Sequence, residues 1–220
     1  MGHLHLTARD GVDSRKFWGT LGGTAVQNGT LQLIQFPGTF VMVRQGQPTA
    51  GTSGSTVDHV TFRVRSLKQL ATDGIVVSNG VITTPDGILI NVAEDASVDG
   101  ASRFDAIAIS TAAPADAQAW YIKQFGATAG KGATPTAALP GVKLEFTKAD
   151  SAPAGTRGRA LDHIGFEVRN LEEFCKKLEA GGIKLDRPFT RLPNSTTAIA
   201  FLTDPWGTYI ELTENLAPAK

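Results

Sequence analysis

Residues 162–171 read DHIGFEVRNL, and residues 58–67 read DHVTFRVRSL. The match continues downstream. Thr84-Pro85-Asp86-Gly87-Ile88-Leu89-Ile90-Asn91 parallels Asp204-Pro205-Trp206-Gly207-Thr208-Tyr209-Ile210-Glu211. Repetition on this scale means that the chain is built from copies of one small unit. Two further segments match more weakly. Phe17-Trp18 before Leu21-Gly22-Gly23 resembles Trp120-Tyr121 before Phe125-Gly126-Ala127, and Phe36-Pro37-Gly38 before Phe40–Val43 resembles Leu139-Pro140-Gly141 before Lys143–Phe146. Four units follow, at 1–50, 57–95, 103–149 and 160–216, grouped as an N-terminal region 1–98 and a C-terminal region 99–220.

Each unit opens with an alternating strand; in the fourth, Ile164, Phe166 and Val168 share one face. A helix follows. Asn170 stands at its N-cap position, Leu171, Phe174, Cys175 and Leu178 form its apolar stripe, and Gly181-Gly182 ends it. Glu172–Lys176 and Glu173–Lys177 are spaced as i,i+4 ion pairs. Two or three strands close the unit, and the second unit is the shortest. The predicted class is α+β, four βαβββ modules forming two half-open β-barrels. The Gly-, Ser-, Thr- and Pro-rich stretches 46–56 and 151–159 read as flexible linkers.

Composition excludes several functions. Of 220 residues, 41% are hydrophobic, enough for a packed core. Lys plus Arg and Asp plus Glu are both 21, so bulk charge favours neither nucleic acid nor an anionic membrane. No apolar run reaches the roughly 18 residues of a membrane span. A lone cysteine, Cys175, rules out an intrachain disulfide or a multi-cysteine metal site, and its place in the helical stripe marks it as buried and inert. Any metal would be held by histidine and carboxylate. No signal-peptide pattern is seen, and a strand begins almost at Met1. The compartment is left open: cytoplasmic as written, exported if a leader has been removed.

Two positions in each unit carry the chemistry. The start of the opening strand gives His3, His59, Ala106 and His163. The middle of the last strand, located from the Pro-Gly or Pro-x-Gly turn, gives Met42, Asn91, Glu145 and Glu211.

DHIGFEVRNL followed by TDPWGTYIELTE resembles the vicinal oxygen chelate superfamily, the glyoxalase, bleomycin- and fosfomycin-resistance and extradiol-dioxygenase group. The resemblance is strongest in the fourth unit. It implies a divalent metal (Fe, Mn, Zn, Ni or Co) held at those strand positions where two modules meet. The implied ligands are His3, His59, His163, Glu145 and Glu211; Ala106, Asn91 and Met42 depart from the pattern. If neighbouring modules pair, the sets are His3, His59, Met42 and Asn91, and Ala106, Glu145, His163 and Glu211. If the outer modules pair, His3, His163 and Glu211 stand together with Met42, and His59 and Glu145 form a second or alternative site with Asn91 and Ala106. Both pairings occur in the family. Outer pairing is preferred, because it completes a two-histidine, one-carboxylate set of the kind that suits Fe(II), Mn(II) or Zn(II).

The ligands do not select the reaction, and no separate acid–base partner is recognisable. The leading expectation is a metal-dependent lyase or isomerase of glyoxalase type acting on a small oxygenated substrate. The alternatives are an Fe(II) extradiol-type ring-cleaving dioxygenase and a metal-free protein that sequesters small molecules. The expected partner is a small molecule, and the chain is expected as monomer or homodimer. Simpler roles compete at single positions. His59 reads as a structural histidine, His5 as a packing or supporting residue, Met42 as an apolar filler and Asp204-Pro205-Trp206-Gly207 as a turn.

Overall fold

A computed structural model describes residues 2–217. The first unit comprises β1 (His3–Ala8), α1 (Gly11–Thr20), β2 (Thr24–Asn28), β3 (Leu31–Phe36) and β4 (Thr39–Gln45). The second comprises β5 (Val57–Val64), α2 (Leu67–Thr72), β6 (Val81–Thr83) and β7 (Leu89–Glu94). The third runs β8 (Ser102–Thr111), α3 (Pro114–Phe125), β9 (Thr128–Ala129), β10 (Thr136–Leu139) and β11 (Val142–Lys148). The fourth runs β12 (Leu161–Glu167), α4 (Leu171–Ala180), β13 (Leu185–Arg191), β14 (Ala198–Thr203) and β15 (Tyr209–Glu214). The second unit is the clipped one, with a single turn-and-a-half of helix and one strand fewer.

These elements form an eight-stranded sheet, β13-β14-β15-β12-β1-β4-β3-β2, and a seven-stranded sheet, β6-β7-β5-β8-β11-β10-β9. The first and fourth units therefore share one sheet, and the second and third share the other. Outer pairing is the arrangement adopted, and regions 1–98 and 99–220 each send one unit to each sheet. Both sheets are open and keep edge strands, as half-barrels do.

Side-chain caps explain two of the four helix starts. Asp10 accepts hydrogen bonds from the backbone N–H groups of Val12 and Asp13, each at 2.9 Å, and Ser66 accepts one from Gln69 at 3.3 Å. Asn170 departs from expectation. It occupies the N-cap position of α4 with φ of 52°, and its side chain caps nothing. Its backbone N–H donates instead to Glu214 Oε1 at 2.9 Å, so the left-handed turn is tied to the neighbouring strand. Leu171, Cys175 and Leu178 are buried as their spacing predicts, and burial pushes the Cys175 thiol up to about 11. Glu172 pairs with Lys176 at 3.1 Å, but Glu173 also turns to Lys176, at 2.9 Å, while Lys177 lies over the Phe174 ring.

The two linkers are not loose. Thr56 N–H donates to Ala154 O and Ala160 N–H to Ala50 O, at 2.9 and 2.8 Å, and Ser55 bridges Ala154. Arg159 adds hydrogen bonds to Gly51 O and Ser53 O, both 2.8 Å. Their small residues serve close approach: a Cβ on Gly51 would strike the Gly87 backbone, and one on Gly155 would strike Gly207. The crossings that separate the outer units from the inner ones are thus stitched to each other.

Aromatic contacts join the layers. Phe62 of β5 meets Trp18 and Phe36 at centroid distances of 5.9 and 5.0 Å, and Phe125 of α3 meets Phe166 at 5.1 Å. Trp206 packs edge-on against Trp120 at 6.2 Å, which gives it a packing role. The turn residue Asp204 is buried. It accepts hydrogen bonds from the backbone N–H groups of Trp206 and Thr208 at 3.0 and 2.7 Å, and from Tyr121 Oη of α3 at 2.8 Å. Burial raises the Asp204 carboxyl and the Tyr121 hydroxyl above their ordinary ranges. Tyr121→Phe removes the one side-chain donor bridging the third and fourth units here. It should cost about 1–3 kcal/mol, seen as a melting temperature lower by roughly 2–4 °C per kcal/mol.

Candidate metal centre

Strand alternation sorts β1 into two rows. Leu4, Leu6 and Ala8 enter the core, leaving His3, His5 and Thr7 on the opposite face. In β12, Ile164 and Phe166 face the core, and His163 and Gly165 lie opposite. β1 and β12 run antiparallel at the centre of the eight-stranded sheet, with His3 opposite Gly165 and His5 opposite His163. β15 runs parallel to β12 with Glu211 beside Gly165, and β4 runs parallel to β1 with Met42 beside His5. The seven-stranded sheet repeats this register: Asn91 lies beside Thr61, Glu145 beside Ala108, His59 opposite Ala108 and Thr61 opposite Ala106. In all four units the last-strand position stands beside the residue two after the opening-strand position. The positions compared in sequence are therefore equivalent in space.

His3, His163 and Glu211 meet. Glu211 Oε2 lies 2.8 Å from His3 Nε2 and 3.0 Å from His163 Nε2. The second contact is a hydrogen bond. The first has the distance of one but not its angle, and both ring nitrogens of His3 are buried without a hydrogen-bond partner. His5 Nδ1 is in the same state. One ligand atom each from His3, His5, His163 and Glu211 lies within 4.8 Å of the others. Buried polar atoms left unpaired cost about 1–3 kcal/mol each. A cation taking those nitrogens would remove that cost, so the residues present fit a divalent metal.

The ring of His3 is wholly buried, and its bed is Gly165. A Cβ at Gly165 would overlap the imidazole. The ring of His163 is oriented through its other nitrogen: Asp162 Oδ1 lies 2.7 Å from His163 Nδ1, and Asp162 Oδ2 accepts from the Gly158 N–H at 2.6 Å. A carboxylate behind a ligating imidazole fixes its tautomer and raises its basicity. Sequence reasoning missed Asp162 and placed His5 outside the centre. The signal for Asp162 was the repeated Asp-His pair, since Asp58 Oδ2 likewise lies 2.9 Å from His59 Nδ1.

Electrostatics favour the ligand-ready state at Glu211 and His5, while His163 must give up a proton to bind a metal. Burial disfavours charge on Glu211, but the hydrogen bond with His163 and the electrostatic pull of the adjacent His163 and His3 rings outweigh it and hold the carboxyl well below its usual range. Burial likewise opposes charge on His163, yet Asp162 and Glu211 raise its pKa. His5 is lowered to about 3, first by burial and then by His163 and His3, so it stays neutral at pH 7.

The other candidate residues are engaged elsewhere. His59 pairs with Asp58, and Glu145 Oε1 forms an ion pair with Lys143 Nζ at 2.7 Å. Ala106 is fully buried and offers no donor. Among the described residues, the group of three or more close metal-ligating side chains contains neither His59 nor Glu145.

A cavity of about 480 Å³ opens beside the cluster. Met42 lines it, as an apolar filler would, together with Leu31, Ile199 and Leu216. Phe201 and Tyr209 stack at 5.2 Å, and His163 meets both rings edge-on at 5.4 and 5.6 Å. The Arg157 guanidinium covers Tyr209 at 4.7 Å, and Arg44, also on the wall, donates to Thr7 Oγ1 at 3.1 Å. The lining comes from β1, β3, β4, β12, β14 and β15 and from the 151–159 linker, so the sheet curls around this space.

Comparison with known proteins supports the same relationship. The Glyoxalase/Bleomycin resistance protein/Dioxygenase superfamily profile matches residues 103–212, half of the chain. Lactoylglutathione lyases of Escherichia coli O157:H7 and Shigella flexneri are each 40% identical over 57 residues, which is 26% of this chain and 42% of theirs. The chain thus spans less than half the length of the curated relatives it matches. A glyoxalase I variant from Zea mays superposes with a TM-score of 0.68 at 12% identity, covering 97% of this chain and 92% of that one. A Bacillus subtilis subsp. subtilis str. 168 structure, described provisionally as a dioxygenase, superposes with a TM-score of 0.72 at 14% identity, covering 98% and 85%. At such identities the superpositions show the fold. With its repeated units, their strand register and the profile match in agreement, the chain belongs to the Glyoxalase/Bleomycin resistance protein/Dioxygenase superfamily.

Proposed function

We propose that this protein is a divalent-metal-dependent enzyme of the glyoxalase-like lyase or isomerase type, acting on a small oxygenated substrate. The observation that carries the reading is the convergence of His3 and His163 Nε2 on one oxygen of Glu211, at 2.8 and 3.0 Å. A divalent ion held there supplies Lewis acidity to substrate oxygens. The chain's own residues do the rest. His3, His163 and Glu211 hold the ion, and Asp162 orients His163. The cavity walls exclude water from one side and leave room for a molecule of modest size. Arg44 and Arg157 bring positive charge to the wall, which favours a substrate bearing an anionic group.

One observation favours a second reading, an Fe(II) ring-cleaving dioxygenase: Phe201, stacked on Tyr209 and lining the cavity beside His163, offers an apolar ring to a planar substrate. The two readings separate in one set of assays on protein purified without chelator. The first expects about one divalent ion per chain and metal-dependent turnover of lactoylglutathione or a related oxygenated compound, with no oxygen consumed. Oxygen uptake with catechols after anaerobic Fe(II) loading would replace it with the second. A metal-free preparation that still binds aromatic ligands would overturn both in favour of sequestration.

A further inference from the structure

The first unit carries a histidine where the others carry small residues. The residue two after the opening-strand position is His5 in the first unit, Thr61 in the second, Ala108 in the third and Gly165 in the fourth. The same unit carries Met42 where the fourth carries Glu211. These two departures are neighbours, because His5 and Met42 are paired across β1 and β4. The unit with no carboxylate at its last-strand position carries an imidazole beside it.

The His5 ring sits in the cluster. Its centroid is 4.4 Å from that of His163 and 6.3 Å from that of His3. It contributes one of the four ligand atoms lying within 4.8 Å of each other. Its Nδ1 is buried and has no hydrogen-bond partner, an unfavourable state for a ring serving only to pack. A packing role was the simplest expectation for this residue, and an apolar side chain would fill it without the desolvation cost.

We infer that His5 is a metal-binding residue that replaces the donor missing at Met42, making a three-histidine, one-carboxylate centre from His3, His5, His163 and Glu211. This rests on the metal-dependent reading above and deepens it. An imidazole-rich set favours the nitrogen-seeking ions Zn(II), Ni(II), Co(II) and Fe(II) over Mg(II) and Ca(II), which prefer oxygen donors.

The test is Co(II) and Cu(II) binding to the full chain and to His5→Ala, His5→Gln and the double variant H5A/M42E. Affinity is read by chelator competition, and the donor set by the Co(II) visible spectrum and Cu(II)–nitrogen coupling in EPR. The inference expects His5→Ala and His5→Gln to lose about a hundredfold or more in affinity and one coupled nitrogen, with the metal-free melting temperature retained. In H5A/M42E the carboxylate should recover affinity without recovering the nitrogen signal. Wild-type affinity and an unchanged spectrum in His5→Ala and His5→Gln would overturn this inference and leave the His3, His163 and Glu211 site standing. A wild-type chain that binds neither ion would overturn both. If His5→Ala fails to fold, His5→Gln, which retains polarity and most of the volume, decides by the same spectra.

Discussion

His163→Ala should abolish tight divalent-metal binding. His163 sits at the centre of the cluster: its Nε2 lies 3.0 Å from Glu211, its Nδ1 is held by Asp162 at 2.7 Å, and its ring faces both His5 and the cavity. Loss of a residue that merely orients a ligand costs about 10–100-fold in affinity, so loss of a ligand itself should exceed roughly 100-fold. The fold should survive, because the core is built by the opposite face of β12 through Ile164 and Phe166. The comparison is the melting temperature with and without saturating metal. The wild type should rise on metal addition, since a ligand that binds only the folded state stabilises it by mass action. His163→Ala should show a much smaller rise or none. An equal rise in the variant would remove His163 from the centre.

The second large effect is expected at a residue with no side chain. Gly165→Ala should damage both stability and metal binding, because a Cβ there would occupy the space of the His3 ring. That ring is fully buried between strands and cannot swing aside without disturbing its neighbours. Overpacking of this kind costs about 1–3 kcal/mol, or a melting temperature lower by roughly 2–4 °C per kcal/mol. Displacement of His3 should carry metal affinity down with it. Gly19→Ala is the matched control. Nothing lies within 4 Å of a Cβ at that helical position, and the change should be neutral or mildly stabilising. Equal behaviour of the two variants would show that Gly165 gives His3 no special room.

Much of this arrangement was legible before the structure, for a physical reason. Residues on a β-strand alternate between faces, so a repeated strand motif repeats its outward residues too. DHVTFRVRSL and DHIGFEVRNL therefore marked equivalent histidines, His59 and His163, and counting to the same place in the first unit reached His3. The Pro-Gly turns located Glu211 in the same way. Outer pairing followed from the wish to complete a ligand set, and the strand order bears it out.

What escaped notice depended on contacts between units. His5 looked like a spare histidine along one strand. Its place in the cluster arises only when β1 lies against β12 in the register that sets it opposite His163. Gly165 was visible as one letter of the motif, but its role exists only because His3 arrives from the far end of the chain. The linkers misled through composition. Gly, Ser and Thr suit a flexible tether, and they equally suit two crossings that lie close together and hydrogen-bond to each other. Asn170 was at the right helix boundary, yet its left-handed backbone turned the side chain away from capping.

The most direct measurement is anomalous diffraction from crystals of the metal-loaded full chain. The account predicts one strong peak per chain within about 2–2.3 Å of nitrogen atoms from His3 and His163 and an oxygen of Glu211. A peak bound elsewhere, or a loaded crystal with no peak between β1, β12 and β15, would contradict it.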